Sequence, residues 1–269
     1  MSKYLNVFNT LAEYQAFSAS TEYVQPNVAL VKETNVLYYD YGNNKPQVDM
    51  SNYKGEFQES SVGGDKYGNS AITKVNYIPS GITGLKNAFS NWSSLEEVTC
   101  KIPNSVTSLD STFNGCSSLV TAPEMPSGVT SLSYTFDGCS RLGTAPVIPS
   151  GVTNMSYTFN GCSSLVNAPE IPSGVTNMSY TFSYCSSLVN APDIPSSVTS
   201  MSSTFWYASR LKEVTFLHTT PPTYSATLNG CSSLESIYVP DEAVDTYKTA
   251  TGWSQFASKF KPLPKKPTE

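Results

Sequence analysis

Cys116-Ser-Ser-Leu-Val-Thr-Ala-Pro123 returns 23 residues later, with small changes, from Cys139, Cys162 and Cys185. Each copy runs on through Pro-Ser-Gly-Val-Thr, or Pro-Ser-Ser-Val-Thr starting at Pro195, to a closing Thr-Phe pair. A fixed period of this length marks a repeat architecture, in which each unit buries its apolar face only against its neighbours. The reading is therefore a solenoid. Such a fold offers an extended surface for binding or scaffolding more readily than a catalytic pocket.

Six apolar columns align on that period. Leu95, Leu119, Leu142, Leu165, Leu188, Leu211 and Leu234 form one. Ile82, Val106, Val129, Val152, Val175 and Val198 form a second, followed three residues on by Leu85, Leu109, Leu132, Met155, Met178 and Met201. Phe89, Phe113, Phe136, Phe159, Phe182 and Phe205 make the fourth. The fifth is Cys116, Cys139, Cys162 and Cys185, with Trp92 and Ala208 in the outer copies, and Met125, Ile148, Ile171 and Ile194 complete the set. Each column is expected to form an unbroken ladder. Substitution of cysteine by Trp or Ala points to a packing slot filled by free thiols, although stacked coils about 4.8 Å apart would also fit disulfide geometry. Paired prolines recur in the middle units, from Pro123/Pro126 to Pro192/Pro195. Lacking an N–H, they limit parallel strands to an expected two to four residues.

Residues 1–70 do not repeat. Thr10 caps a predicted helix over Leu11–Phe17, with Glu13 closing a capping box. Asn27–Val31 and Asn35–Tyr39 read as a β-hairpin, and Asp40–Ser70, rich in Gly, Asn, Lys and Ser, as loop or linker. The chain divides into an N-terminal module (1–70), the solenoid (71–217), a C-terminal cap (218–264) and a tail (265–269). Two short helices, over Asp241–Ala250 and Trp253–Phe260, are expected to close the open end of the core.

Of the 269 residues, 14% are charged, and the net charge is −5. Lys101 and Arg141 are the only basic residues between 101 and 200, so the clustered cations that nucleic acid requires are missing. No apolar run reaches the length of a membrane span. The start, Met1-Ser-Lys-Tyr-Leu-Asn-Val-Phe, lacks an apolar segment of signal type, so the expectation is a chain that stays in the cytoplasm or leaves inside a particle. The single histidine, His218, has no nucleophile motif near it and reads as a surface or turn residue. Cysteines 23 apart do not have zinc-ligand spacing. Asp40, Asp49 and Asp65 match no calcium loop and read as solvated turns. No catalytic residue, metal site or cofactor is expected, and no enzyme.

The columns resemble the 23-residue BspA-like leucine-rich repeat, whose pattern has Ile-Pro, Ser-x-Val-Thr and Phe-x-x-Cys-Ser-x-Leu. The likeness covers about residues 72–240, and the ending Ile237-Tyr-Val-Pro-Asp through Gly252-Trp253 is similar to that family's closing segment. It implies a leucine-rich repeat solenoid with very short parallel strands, here joined to a small α/β N-terminal module and a capping unit with short helices. It also implies adhesion to host or matrix proteins at a bacterial cell surface. Separately, Glu22-Tyr-Val-Gln-Pro through Tyr38-Tyr39 is similar to a leader segment of structural proteins of phages infecting Bacteroidales, crAss-like phages included. That likeness implies a virion component (capsid decoration, head fibre or tail-associated protein).

Tyr134, Tyr157 and Tyr180 form the column most suited to binding, flanked by Ser111 and Ser203. Each lies two residues before the core Phe and two after the core Leu or Met, which places it outward or at a rim. Three stacked rings would make a strip on the order of 10 Å long, able to stack on sugar rings or to anchor a protein. Glu124, Val147, Glu170 and Asp193 form a second outward column, read as a solvated face. The expectation is thus a non-enzymatic virion protein. Its N-terminal module would bind other virion proteins and its repeats a host-surface glycan or protein; a BspA-like cell-surface adhesin is the alternative. Nucleic acid and membrane insertion are excluded as partners, and homo-oligomerisation is left open.

Overall fold

The computed structural model describes residues 73–75, 78 and 82–264, together with the backbone of four N-terminal strands. These are β1 (Leu5–Phe8), β2 (Asn27–Val31), β3 (Val36–Asp40) and β4 (Gln47–Asp49). They form one sheet in that order, with β1 parallel to β2 and the other pairs antiparallel. β2 and β3 pair from Val31↔Val36 to Asn27↔Asp40, over the two runs read as a hairpin. β4 lies within the stretch read as linker. The helix expected over Leu11–Phe17 and the tail 265–269 lie outside the described residues.

The repeats stack in parallel. β5 (Lys74–Val75) pairs with β6 (Glu97–Val98), and single parallel bridges link Gly84, Ser108, Ser131, Asn154, Asn177 and Ser200 in succession. β7 (Asn190–Ile194), β8 (Glu213–Phe216), β9 (Ser236–Val239) and β10 (Phe260–Pro262) form an all-parallel sheet in chain order. With five residues, β7 exceeds the expected limit and runs through Pro192. The missing N–H is absorbed by a register shift between Asn190 and Asp193, where the ladder is interrupted.

Between the bridges the chain satisfies its amides by alternation. The N–H groups of Leu132, Tyr134, Phe136 and Gly138 donate to the carbonyls of Asn154, Ser156, Thr158 and Asn160 in the next repeat. Those of Thr135, Asp137 and Cys139 instead close local turns onto Leu132, Tyr134 and Phe136. Buried backbone groups must find partners, and this pattern supplies them without a regular helix or strand. It requires left-handed backbone at two positions per repeat. One is filled by Ser111, Tyr134, Tyr157, Tyr180 and Ser203 (φ 53–58°), the other by Gly115, Gly138 and Gly161 (φ 71–73°). Glycine suits the second position because it lacks the Cβ that opposes positive φ.

Most of the apolar columns are continuous core. The Leu, Val/Ile, Leu/Met and Phe columns are almost wholly buried from Ile82 to Leu234. Successive Phe rings stack with centroids 5.5–5.7 Å apart from Phe89 to Phe205. Each such ring contributes about 1.5–3 kcal/mol through burial. Trp92 and Ala208 are buried in the cysteine slot as expected of a packing position. The Met125/Ile148/Ile171/Ile194 column departs from the expected ladder, because Met125 and Ile171 are only half-buried. It runs along the proline-bearing edge, where Val147 is 88% exposed and the backbone does not close a continuous ladder.

A polar column runs inside this core. Thr112, Thr135, Thr158, Thr181, Thr204 and Thr227 are fully buried. Each Oγ1 donates to the Leu/Met-column carbonyl of the preceding repeat, at 2.8–3.0 Å.

At the C-terminal end, Asp241–Ala243 is a 3₁₀ turn leading into an α-helix, Val244–Thr249, and Ser254–Lys259 is a second 3₁₀ segment. The regions read as two short helices are thus largely 3₁₀. Trp253 is buried, with ring centroids 5.1 Å from Phe216, 5.0 Å from Tyr224 and 5.3 Å from Tyr247. Its Nε1–H donates to the Pro222 carbonyl at 2.7 Å.

Candidate binding surface

Tyr134, Tyr157 and Tyr180 come together as a stack. Their centroids are 4.4 Å and 4.5 Å apart, with ring planes within 10° of parallel. Tyr134, at the first end, is 38% exposed, and the other two are half-buried. All three are held at φ 57–58°, unfavourable for a bulky residue, and the ring pairs offset that cost at about 0.5–1.5 kcal/mol each. The tight spacing means that the rings cover one another's faces. What the column presents outward is ring edges and a row of hydroxyls, with open faces only at the ends. Burial, reinforced by the phenols of Tyr134 and Tyr180 on either side, raises the Tyr157 hydroxyl above its ordinary pKa.

A polar ladder lies beside the rings in sequence. Asp110 Oδ1 accepts from Ser131 Oγ at 2.6 Å and from the Ser133 amide at 3.0 Å. Asn154 and Asn177 accept instead within their own repeats, from the Ser156 and Ser179 amides, and Ser133 Oγ lies 2.9 Å from Ser156 Oγ of the next repeat. A second ladder joins Asn114 and Asn160, whose amides donate to the two oxygens of Asp137 at 2.9 Å and 2.7 Å. Burial raises the Asp137 pKa, and the two amide donors partly counter it.

The cysteines are free. Cys116, Cys139, Cys162 and Cys185 are fully buried, and their Sγ atoms contact the carbonyls of Phe89, Phe113, Phe136 and Phe159 at 3.0–3.2 Å. Burial drives all four thiols far above their usual pKa. Cys100 and Cys231, half-buried, are pushed up to about 11 and about 12. A thiol so far from ionisation is a poor nucleophile at neutral pH.

His218 does not sit at the surface. It is 7% exposed, just after β8, and its Nε2 lies 2.7 Å from the Val198 carbonyl. A carbonyl only accepts, so Nε2 carries the proton and the buried Nδ1 is left without a partner. Burial lowers its pKa, partly countered by the Val198 bond. The ring acts here as a core donor that satisfies a repeat carbonyl. Among the described residues no group of three or more His, Cys, Asp or Glu is placed to hold a metal ion.

The columns as first read miss a second aromatic group. Tyr184 and Tyr207 stand where Gly115, Gly138 and Gly161 stand in earlier repeats, and Trp206 precedes Tyr207. Tyr184 and Tyr207 are 47% and 50% exposed and stack 5.6 Å apart at 6°. The break from Gly to Tyr in one column was the available signal.

Residues 60–188 and 133–251 match the BspA type leucine-rich repeat region, in six copies. The chain is similar to a leucine-rich repeat protein from Bacteroides ovatus ATCC 8483, with 20% identity and a TM-score of 0.44, over 84% of this chain and 67% of that one. It is also similar to a leucine-rich cell surface protein from Faecalibacterium prausnitzii A2-165, with 18% identity and a TM-score of 0.27, over 86% of this chain and 93% of that one. Among curated proteins, nothing matches the chain.

Proposed function

Because the chain belongs to the BspA-type leucine-rich repeat family, we propose that it is a non-enzymatic adhesin whose repeats form a solenoid and bind a protein or glycan at a cell surface. The observation that carries this reading is the Tyr134–Tyr157–Tyr180 stack. Left-handed backbone is maintained at three bulky residues that could be serine, as Ser111 and Ser203 are in the same column. Tyrosine supplies a rigid contact with a polar tip at low entropic cost, which suits recognition. Since the faces are covered, the partner meets ring edges and hydroxyls rather than stacking along the column. In this reading residues 218–264 cap the core, and residues 1–70 are an attachment module.

Replacing Tyr134, Tyr157 and Tyr180 together with Ser, the column's own alternative, should abolish binding of the purified chain to intact cells while leaving its melting transition cooperative. A folded triple variant that binds cells as the wild type does would overturn the assignment. The likeness of Glu22–Tyr39 to phage structural proteins favours a second reading, a particle-borne adhesin. Mass spectrometry of gradient-purified particles from the source culture tests it: a stoichiometric copy number supports a virion part, and absence removes it.

A further inference from the structure

Tyr184 and Tyr207 belong to a column whose other members are Asn91, Gly115, Gly138, Gly161 and Gly230, and all seven have φ between 57° and 80°. A tyrosine in that conformation is strained, and with both side chains about half exposed the strain is countered by ring contacts alone and not by burial. Strain retained at exposed aromatic residues is a pointer to ligand contact. Trp206 braces the pair, with its ring centroid 5.1 Å from Tyr184 and 5.3 Å from Tyr207.

The next member of the column, Gly230, passes close to the base of the Tyr207 ring and carries no side chain to cover the rest of its far side. A Cβ on Gly230 would stand 3.0 Å from Cγ and Cδ1 of the Tyr207 ring. Beyond that ring lies a shallow groove of about 500 Å3, with Phe256 and Gln255 of the C-terminal 3₁₀ segment and Asn229 also in its lining. No lining residue is charged, so the groove suits a neutral ligand. Its polar groups are complementary. Asn229 Oδ1 accepts from the Tyr224 hydroxyl at 2.7 Å, which leaves the amide N–H groups to donate. Gln255 Nε2 donates to the Gly252 carbonyl at 2.6 Å, which leaves Oε1 to accept. An aromatic wall with one donor and one acceptor beside it matches a pyranose, which has an apolar C–H face and a rim of hydroxyls.

We propose that the groove between Tyr207 and Phe256 is a binding site for a neutral hexopyranose, stacked on Tyr207 and hydrogen-bonded by the Asn229 amide and the Gln255 carbonyl. The site rests on the reading of the chain as a binding protein but on none of the residues of the Tyr134 column.

The test is an array of immobilised neutral and acidic glycans probed with the full-length chain. Wild type should be retained by neutral hexose-terminated glycans in preference to acidic ones. Tyr207→Asn should bind these about tenfold more weakly or worse. Its melting temperature should hold or rise, because Asn91 already occupies the same column at φ 60°. Gln255→Leu, on the exposed segment, removes the acceptor without touching the ring, and should also weaken retention. The Tyr134/Tyr157/Tyr180→Ser variant should keep its sugar binding, which separates this site from the other column. Failure of the wild type to retain any neutral glycan, a preference for acidic ones, or full retention by both Tyr207→Asn and Gln255→Leu would overturn the proposal.

Discussion

Thr158→Val removes one hydroxyl from the buried threonine column while keeping nearly the same shape. Thr158 Oγ1 lies 2.9 Å from the Leu132 carbonyl and 2.7 Å from that of Met155, and its single proton serves one of them at a time. Neither carbonyl is orphaned by the change. Leu132 still accepts from the Thr135 amide at 3.0 Å, and Met155 from the Thr158 amide at 3.1 Å and Thr181 Oγ1 at 2.8 Å. The loss is therefore one net hydrogen bond, about 1 kcal/mol, and not the larger penalty for a stranded polar group. The new methyl must fit where a hydroxyl sat at bonding distance, costing about 1 kcal/mol in overpacking, against a transfer gain of about 0.8 kcal/mol. The expected destabilisation is about 1–2 kcal/mol, roughly a 5- to 30-fold change in the folded-to-unfolded ratio. Urea unfolding followed by circular dichroism measures it, provided the slope m stays constant across the pair. Thr158→Ser, which keeps the hydroxyl, separates the bond from the packing. Unchanged or increased stability in Thr158→Val would refute the reasoning, as would a loss well above about 3 kcal/mol, which would mean that a carbonyl had been stranded after all.

Three other predictions follow from buried groups. In the native chain at neutral pH, a thiol reagent should leave Cys116, Cys139, Cys162 and Cys185 unmodified, and all six cysteines should react once the chain is unfolded; rapid native labelling at any of the four would contradict their burial. Because the His218 pKa is lowered in the fold, the unfolded chain takes up the proton first as pH falls below about 6.5, so stability should drop in that window. His218→Gln, which can still donate to Val198, should flatten that dependence in a series of melting curves; an identical acid slope would assign it elsewhere. The hydroxyl of Tyr247 is buried without a partner, so Tyr247→Phe should leave stability unchanged or raise it by up to about 1 kcal/mol; a fall in the urea midpoint would reveal a hidden partner.

The core was legible because it is written in columns. Leu165, Val152, Met155, Phe159 and Cys162 announce themselves by recurring at one period with one chemistry, and all five are fully buried. Thr158 recurs just as faithfully, but a polar side chain in a period without strand alternation gives no sign that it faces inward. Its burial is visible only once the preceding repeat's carbonyl is beside it. Tyr184 and Tyr207 escaped for the opposite reason, since they interrupt a glycine column and no apolar pattern includes them. His218 falls in the decayed segment after β8, where no neighbouring copy indicates which way a side chain points. The proline rule held through most of the stack but not at Pro192, where a shift in register allows the strand to continue. The Tyr134 column was legible as a rim. The closeness of its rings was not, and that spacing turns a stacking platform into a row of edges.

The most direct test of the account is tyrosine footprinting of the chain while it is bound to intact cells, using iodination followed by peptide mass spectrometry. The account predicts that Tyr134, Tyr157 and Tyr180 become protected on binding, while Tyr238, on the inner strand β9 with its hydroxyl donating to Glu213, reacts as it does in the free chain. Equal modification of the Tyr134 column in the bound and free chain would contradict the claim that these repeats bind through it.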